Sequence, residues 1–245
     1  MLELVGIGAV AGLVGSALGV GGGVILVPGF ILLAGLAPRA AVGTSLACVV
    51  ATATAATIAH LRRGTIQFGD GADLAGFGAL GSVAAGILAA RVGPGVIVAA
   101  FAVLLLFTAV GMWPWAPDRP DVPRAQRRSA VRAAVAGGGA VAGLFGVGGG
   151  IIFVPVLHLW GGRPFQRSTA LSLVIIVATA AAGVVVYIAR GDVAAGTALP
   201  AMAGTVVGAM IGVPLSARLG SRWLKGGFSL LLIYIAVAML RESIG

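Results

Sequence analysis

The sequence predicts an all-α polytopic membrane protein of two homologous four-element repeats, related by inversion, each opening on a glycine-broken (re-entrant or discontinuous) first helix. Three observations carry that prediction. The 245 residues are 59% hydrophobic and only 9% charged, with a mean hydropathy of +1.10. Soluble domains carry about 25% charged residues, so this chain needs a solvent that accepts apolar surface on all sides, a lipid bilayer. Long apolar stretches recur along it, and its second half repeats the first at a fixed offset. With 11 prolines, 6% aromatics and no Gly-X-Y period, disordered and collagen-like classes fall away.

The first apolar stretch, Leu4–Leu36, has 33 residues. As one helix it would run about 50 Å, against a hydrocarbon core of about 30 Å. It is therefore not a single straight span. Gly21, Gly22 and Gly23 divide it into two arms, and irregular backbone at membrane depth is tolerated only where it is buried in protein or lines a cavity. The N-terminal segment lacks a basic region and reads as membrane segment, not as a cleaved signal. Ala41–Leu61, Leu74–Val92 and Val96–Trp113 complete the first half. The pattern restarts at Val131–Trp160, again glycine-interrupted, and continues through Ser168–Ala189, Ala194–Leu219 and Leu224–Leu240. The proline- and charge-rich gap sets the expected division: a first transmembrane repeat over 1–115, an extramembrane linker over 116–130 and a second repeat over 131–245.

The offset is 127 residues. Gly19 to Gly23 map on Gly146 to Gly150, Val27-Pro28 on Val154-Pro155, and Ser45-Leu46 on Ser172-Leu173. Thr52 then meets Thr179, Arg63-Gly64 meets Arg190-Gly191, Gly81 meets Gly208, and Arg91 meets Arg218, all without a gap. Self-similarity over most of a chain marks a duplicated unit.

Fifteen arginines and one lysine face seven acids, a net charge of +9. In a soluble chain that balance suggests nucleic acid; here the arginines lie between apolar runs and read as positive-inside anchors and phospholipid contacts. If each broken element crosses once, the halves are parallel and the basic residues divide 9 to 7. If each dips in and returns, the halves are inverted. One side then collects Arg62, Arg63, Arg119, Arg124, Arg127, Arg128, Arg132, Arg163, Arg167, Arg218, Arg222 and Lys225, leaving Arg39, Arg91, Arg190 and Arg241 on the other. Cytoplasmic loops concentrate Lys and Arg, so twelve against four favours inversion. Inverted repeats with broken helices meeting near the midplane are the architecture of secondary transporters.

Substrate-binding candidates follow from the repeat. Gly21, Gly22, Gly23 and Gly148, Gly149, Gly150 each precede a short apolar arm, whose first N–H groups and positive dipole end form an anion site in outline. Close helix packing is the alternative role for such glycines. Ser45 with Thr52, and Ser172 with Thr179, stand seven residues apart on one helical face. Their hydroxyls either donate to sulfonate or carboxylate oxygens or bond the preceding carbonyl. Thr44 has no hydroxyl counterpart in the second half, where Leu171 stands. His60, Arg63, Tyr187 and Arg190 close the matched helices and are candidates for gating or proton coupling. His158, in the second broken arm, is less constrained by the repeat.

Glu3, Asp70, Asp73, Asp118, Asp121, Asp192 and Glu242 all fall at or near segment ends. Coupling through an intramembrane carboxylate is thereby disfavoured. Cys48 is the single cysteine, so no intrachain disulfide forms and no metal ligand set is visible. The glycine runs lack the lysine of a phosphate loop and the strand–helix context of a dinucleotide fingerprint. Ser45 and His60, fifteen residues apart on one helix, lie about 22 Å from each other, too far for a protease dyad. Nothing supports catalysis.

On these residues the chain resembles the TauE/SafE family of sulfite and organosulfonate exporters, also called TSUP permeases. The duplicated GVGGGxxxxP element (Gly19 to Pro28, Gly146 to Pro155) carries the resemblance, with GTSL at Gly43 to Leu46 echoed by ALSL at Ala170 to Leu173, and HLRRGTI from His60 echoed by YIARGDV. It covers almost the whole chain. The resemblance implies a multi-pass permease of the bacterial inner membrane that moves a small sulfur-containing anion. Family members are linked to sulfite, sulfoacetate, taurine-derived products and thiosulfate, and are often given eight spans, which agrees with inversion only if each broken element was scored as one crossing. Because Leu171 replaces the Thr of the first-half motif, the two half-sites are not chemically equivalent. The expectation is export by alternating access, with no enzyme activity, cofactor or metal. A small-anion channel and a non-transporting assembly subunit are the alternatives. The expected partners are the anion and membrane lipids, with no nucleic acid and with homo-oligomerisation left open.

Overall fold

The computed structural model describes residues 1–67, 69–93 and 124–218, with isolated positions between 95 and 106 and between 226 and 237. The stretches expected over Val96–Trp113 and Leu224–Leu240 fall largely outside them, as do residues 116–123 of the expected linker. Residues 124–130 of that linker are helical. Among the described residues every regular element is a helix: α1 (Leu2–Leu18), α2 (Gly23–Leu32), α3 (Pro38–Arg62), α4 (Ala72–Ala89), α5 (Arg124–Phe145), α6 (Gly150–Pro155), α7 (Phe165–Ala189) and α8 (Ala195–Arg218). A π-helical turn over Val156–Trp160 extends α6. It follows Pro155, which has no N–H to give and whose ring crowds the carbonyl four residues back; widening the turn accommodates both effects.

The helices other than α5, whose first turns carry Arg124, Arg127, Arg128 and Arg132, are predominantly apolar on all faces, as membrane helices are. Helices α3, α4, α7 and α8 are long and apolar enough to cross a membrane. Their outward residues include Leu80, Val185, Leu199 and Met210, each at least 60% exposed, whereas small residues face the neighbours. Helix α1 lies along α8, and α4 along α5. In the first pair Gly204 packs on Val5 and Ala9, Gly208 on Ala9 and Leu13, and Gly212 on Leu13 and Ser16. In the second, Gly139 packs on Gly78 and Gly143 on Ser82. Glycine every fourth residue lets two backbones touch.

The chain doubles back at each glycine break. Gly22 lies against Ala11 and Gly29 against Ile7, so α2 returns along α1. Gly149 lies against Gly138, and the end of the π turn meets the start of α5 around Arg128 and Arg132. Helices α3 and α7, whose bounds differ by 127 at both ends, pack antiparallel. The start of α3 meets the end of α7, with Gly43 against Tyr187 and Asp192. The end of α3 shares a cavity with the start of α7.

One end of the molecule consequently gathers Arg62 and Arg63 with the starts of α4, α5 and α7 and the end of α8. Arg132 pairs with Asp73 at 3.8 Å and Arg167 with Asp70 at 3.6 Å there. Arg39, Arg91 and Arg190 lie at the other end, around the end of α4.

Candidate functional site

The two glycine breaks cross in the buried interior of the described helices. Gly22 and Gly149 cap α2 and α6 at φ of +87° and +80°, a left-handed conformation that costs a residue with a Cβ roughly 1–2 kcal/mol. Gly23 abuts Gly146 and Val147, and Gly150 abuts Gly19 and Val20, so each break packs on the backbone of the other. No side chain fits between them.

Ser45 and Ser172 tie this crossing together. The Ser45 hydroxyl donates to the Gly146 carbonyl at 2.9 Å, and the Ser172 hydroxyl to the Gly19 carbonyl at 2.7 Å. Each serine serves the carbonyl at the end of the opposite half's helix, a group with no intrahelical partner of its own. All residues from Gly19 to Gly23 and from Gly146 to Gly150 are buried, so these bonds satisfy polar groups that water does not reach. Thr52 and Thr179 donate instead to the carbonyls four residues back, Cys48 at 2.9 Å and Ile175 at 2.8 Å. Thr44 accepts the Ala194 N–H at 3.0 Å and thereby holds the turn into α8.

Val49 and Ile176, also 127 apart, plug the space in front of the glycines. Both are fully buried, and both stand against Gly21 and Gly148. The structure thus brings six glycines and two serines together under two aliphatic side chains. The remaining candidates lie elsewhere.

Tyr187 and Arg190 belong to the end where α7 finishes, closed in the sense that these side chains bond across to the backbone of α4 and α5. The Tyr187 hydroxyl donates to the Gly143 carbonyl at 2.7 Å, and Arg190 donates to Gly86 and Ile87 at 2.8 and 3.0 Å. Arg39 donates to Ala90 and Val92 at 3.1 and 2.9 Å. The four carbonyls lie in and just beyond the last turn of α4, where helix carbonyls are left unpaired and cations are favoured.

His60 and Arg63, at the matched positions of α3, border a cavity of about 330 Å³ instead. The ends of α3 and α8, the start of α7 and Ala17 of α1 enclose it, with Thr65, Gln166, Thr169 and Ser216 on its walls. Thr169 also packs beside Gly19, so the cavity wall adjoins the first glycine break. A second cavity of about 560 Å³ opens at the same end between α4, α5 and the π turn, bordered by Asp73, Arg128, Arg132, Trp160 and Arg163. His158 stays outside both; its Nδ1 lies 2.8 Å from the Arg163 carbonyl and its ring edge-on to Phe165. Among the described residues no three His, Cys, Asp or Glu side chains gather as a metal site requires.

Reading the sequence for polar side chains passes over Val49, Ile176, Arg39 and Gln166. The signal was present, because Val49 maps on Ile176 and Arg39 on Gln166 at the same offset of 127.

A family model described as "Sulfite exporter TauE/SafE" matches residues 4–239. The probable membrane transporter protein YunE of Bacillus subtilis (strain 168) is 26% identical over 216 residues, covering 78% of this chain and 79% of that protein. No solved structure gives a significant match. The match spans both glycine breaks, both latching arginines and every helix described above, and the chain belongs to the TauE/SafE family of membrane transporters.

Proposed function

We propose that the protein is a secondary permease of the bacterial inner membrane that exports a small sulfur-containing anion such as sulfite or sulfoacetate by alternating access between two inverted repeats. The carrying observation is the unequal state of matched ends. Where α7 finishes, two arginines seal the end of α4; where α3 finishes, the corresponding space is a cavity. Two copies of one unit in opposite states are what an alternating carrier presents.

The inverted reading is supported by the antiparallel packing of α3 and α7, by the doubling back of each broken element, and by the collection of Arg62, Arg63, Arg128, Arg132, Arg163, Arg167 and Arg218 at one end. By the positive-inside tendency that end is cytoplasmic, so the cavity faces the cytoplasm. In this reading Gly21 to Gly23 and Gly148 to Gly150, with Ser45 and Ser172, form the constriction that the anion crosses when Val49 and Ile176 part. Thr52 and Thr179 flank the path on the same two helices.

Purified protein in proteoliposomes loaded with sulfite or sulfoacetate tests this reading. Saturable uptake of the labelled anion, accelerated by unlabelled anion inside, is the expected result. Unitary currents without counterflow would make it a channel, and no flux of any small anion would leave an assembly subunit. Thiols placed beside Arg63 and beside Arg190 should label from opposite sides of the membrane; labelling from one side would restore parallel repeats.

A further inference from the structure

We propose that the cavity at the end of α3 is an oxyanion-binding vestibule, in which Arg63, His60 and Gln166 supply the donors. The proposal deepens the permease reading and rests on it for what binding there accomplishes.

His60 is 6% exposed, and neither ring nitrogen has a partner. In each neutral tautomer one nitrogen carries a proton and the other a lone pair, so the ring holds an unmet donor beside an open space. Buried polar groups of that kind find a ligand or water.

The closed end shows what the matched positions do when acceptors are near. Arg190 spends its N–H groups on Gly86 and Ile87, and Arg39 on Ala90 and Val92. Their counterparts at the offset of 127 are Arg63 and Gln166, which face the end of α8 across the cavity with no acceptor among the described residues. Among the described residues that leaves their donors open to an acceptor from solution.

Two hydroxyls on the wall are already committed. Thr169 donates to the Phe165 carbonyl at 3.0 Å and Ser216 to the Val213 carbonyl at 2.9 Å. They offer lone pairs, which places an anion toward Arg63 and His60. The start of α7 adds a positive helix end, but the ends of α3 and α8 border the same space with the opposite sign. The formal charge of Arg63 therefore decides that the ligand is anionic, and its planar fork suits two oxygens of a sulfonate, sulfite or phosphate group.

The test is protection of a thiol. Ala217, exposed on the cavity wall, is replaced by cysteine in full-length protein carrying Cys48→Ala, and its alkylation by N-ethylmaleimide is timed. Sulfoacetate serves as the probe because sulfite itself consumes maleimide; sulfate, phosphate and chloride at equal ionic strength are the comparison arms. Sulfoacetate should slow the reaction several-fold. Arg63→Gln, at an exposed position, should raise the half-protecting concentration about tenfold, the loss of one charge-assisted bond. Equal protection by sulfate or phosphate supports a general oxyanion site, and protection by sulfoacetate alone a sulfonate site.

The proposal is overturned by no protection by any oxyanion, by protection equal to that by chloride, or by protection indifferent to Arg63→Gln. A thiol at 217 that never reacts would also overturn it, since the cavity would then be shut. Flux measured on the same preparation separates the two readings. Protection without flux keeps the vestibule and removes the permease; flux without protection does the reverse.

Discussion

At the end of the molecule where α7 finishes, Arg39 and Arg190 each grip two carbonyls at the end of α4, and Tyr187 bonds the α5 backbone. Where α3 finishes, the matched side chains of Gln166, Arg63 and His60 bond no side chain or carbonyl among the described residues and border a cavity of about 330 Å³. The two ends descend from the same positions in the repeat pattern yet stand in different states. In the proposed mechanism the two ends alternate, so a unit with chemically similar ends is asymmetric at any instant, closure at one end drawing the shared helices α3 and α7 away from closure at the other. The crossing of the glycine breaks, fixed by Ser45 and Ser172, lies between them and in the proposed mechanism is the pivot common to both.

The severest way to break the comparison is to block that pivot. Gly22→Val or Gly149→Val forces a Cβ into a left-handed site, 2.6 Å from the Ala11 or Gly138 carbonyl oxygen. Strain and overpacking together should cost about 4 kcal/mol. Thermal unfolding and size-exclusion profiles in detergent should show loss of folded protein; a well-folded variant lacking only flux would instead assign these glycines to the anion alone.

Next in size is release of the closed end. Arg190→Gln removes charge-assisted bonds that contribute about 1.5–3 kcal/mol, which should raise the open population of that end at least tenfold. A thiol at buried Ala89, the counterpart of Ser216, reports it as faster alkylation. Arg63→Gln should leave that rate and the stability unchanged, and equal effects of the two substitutions would erase the difference between the ends.

Ser45→Ala and Ser172→Ala each strand a buried carbonyl at a cost of about 1–3 kcal/mol. The two losses should be similar, as their bonds differ by only 0.2 Å, and strongly unequal melting shifts would argue against a symmetric pivot. Smallest are Thr52→Val and Thr179→Val. Both hydroxyls bond their own helix, so stability should change by less than about 1 kcal/mol. A large loss of anion flux in either, with stability retained, would draw those threonines into the pathway.

Much of this was legible in the residues. Helix α3 reappears as α7 with bounds displaced by 127, and the helix breaks fall on the glycine runs. Among the described residues Arg62, Arg63, Arg128, Arg132, Arg163, Arg167 and Arg218 gather at one end and Arg39, Arg91 and Arg190 at the other. What was not legible is the use of each group. The glycine runs admit both an anion cradle and backbone packing, and Gly23 against Gly146 is packing. Ser45 and Ser172 read as hydroxyls for a ligand, but each reaches the other half's carbonyl.

By itself the sequence determined the solvent, the described helices and the positions of the breaks, because apolar composition and glycine runs act locally along the chain. Only the tertiary structure decided which donors are spent and which remain free. That depends on which carbonyl lies within about 3 Å of a side chain, and here the deciding partners are 101 and 153 residues away for the serines and 104 for Arg190. Two arginines at matched positions are identical in sequence terms; one has a helix end to hold and the other has a cavity.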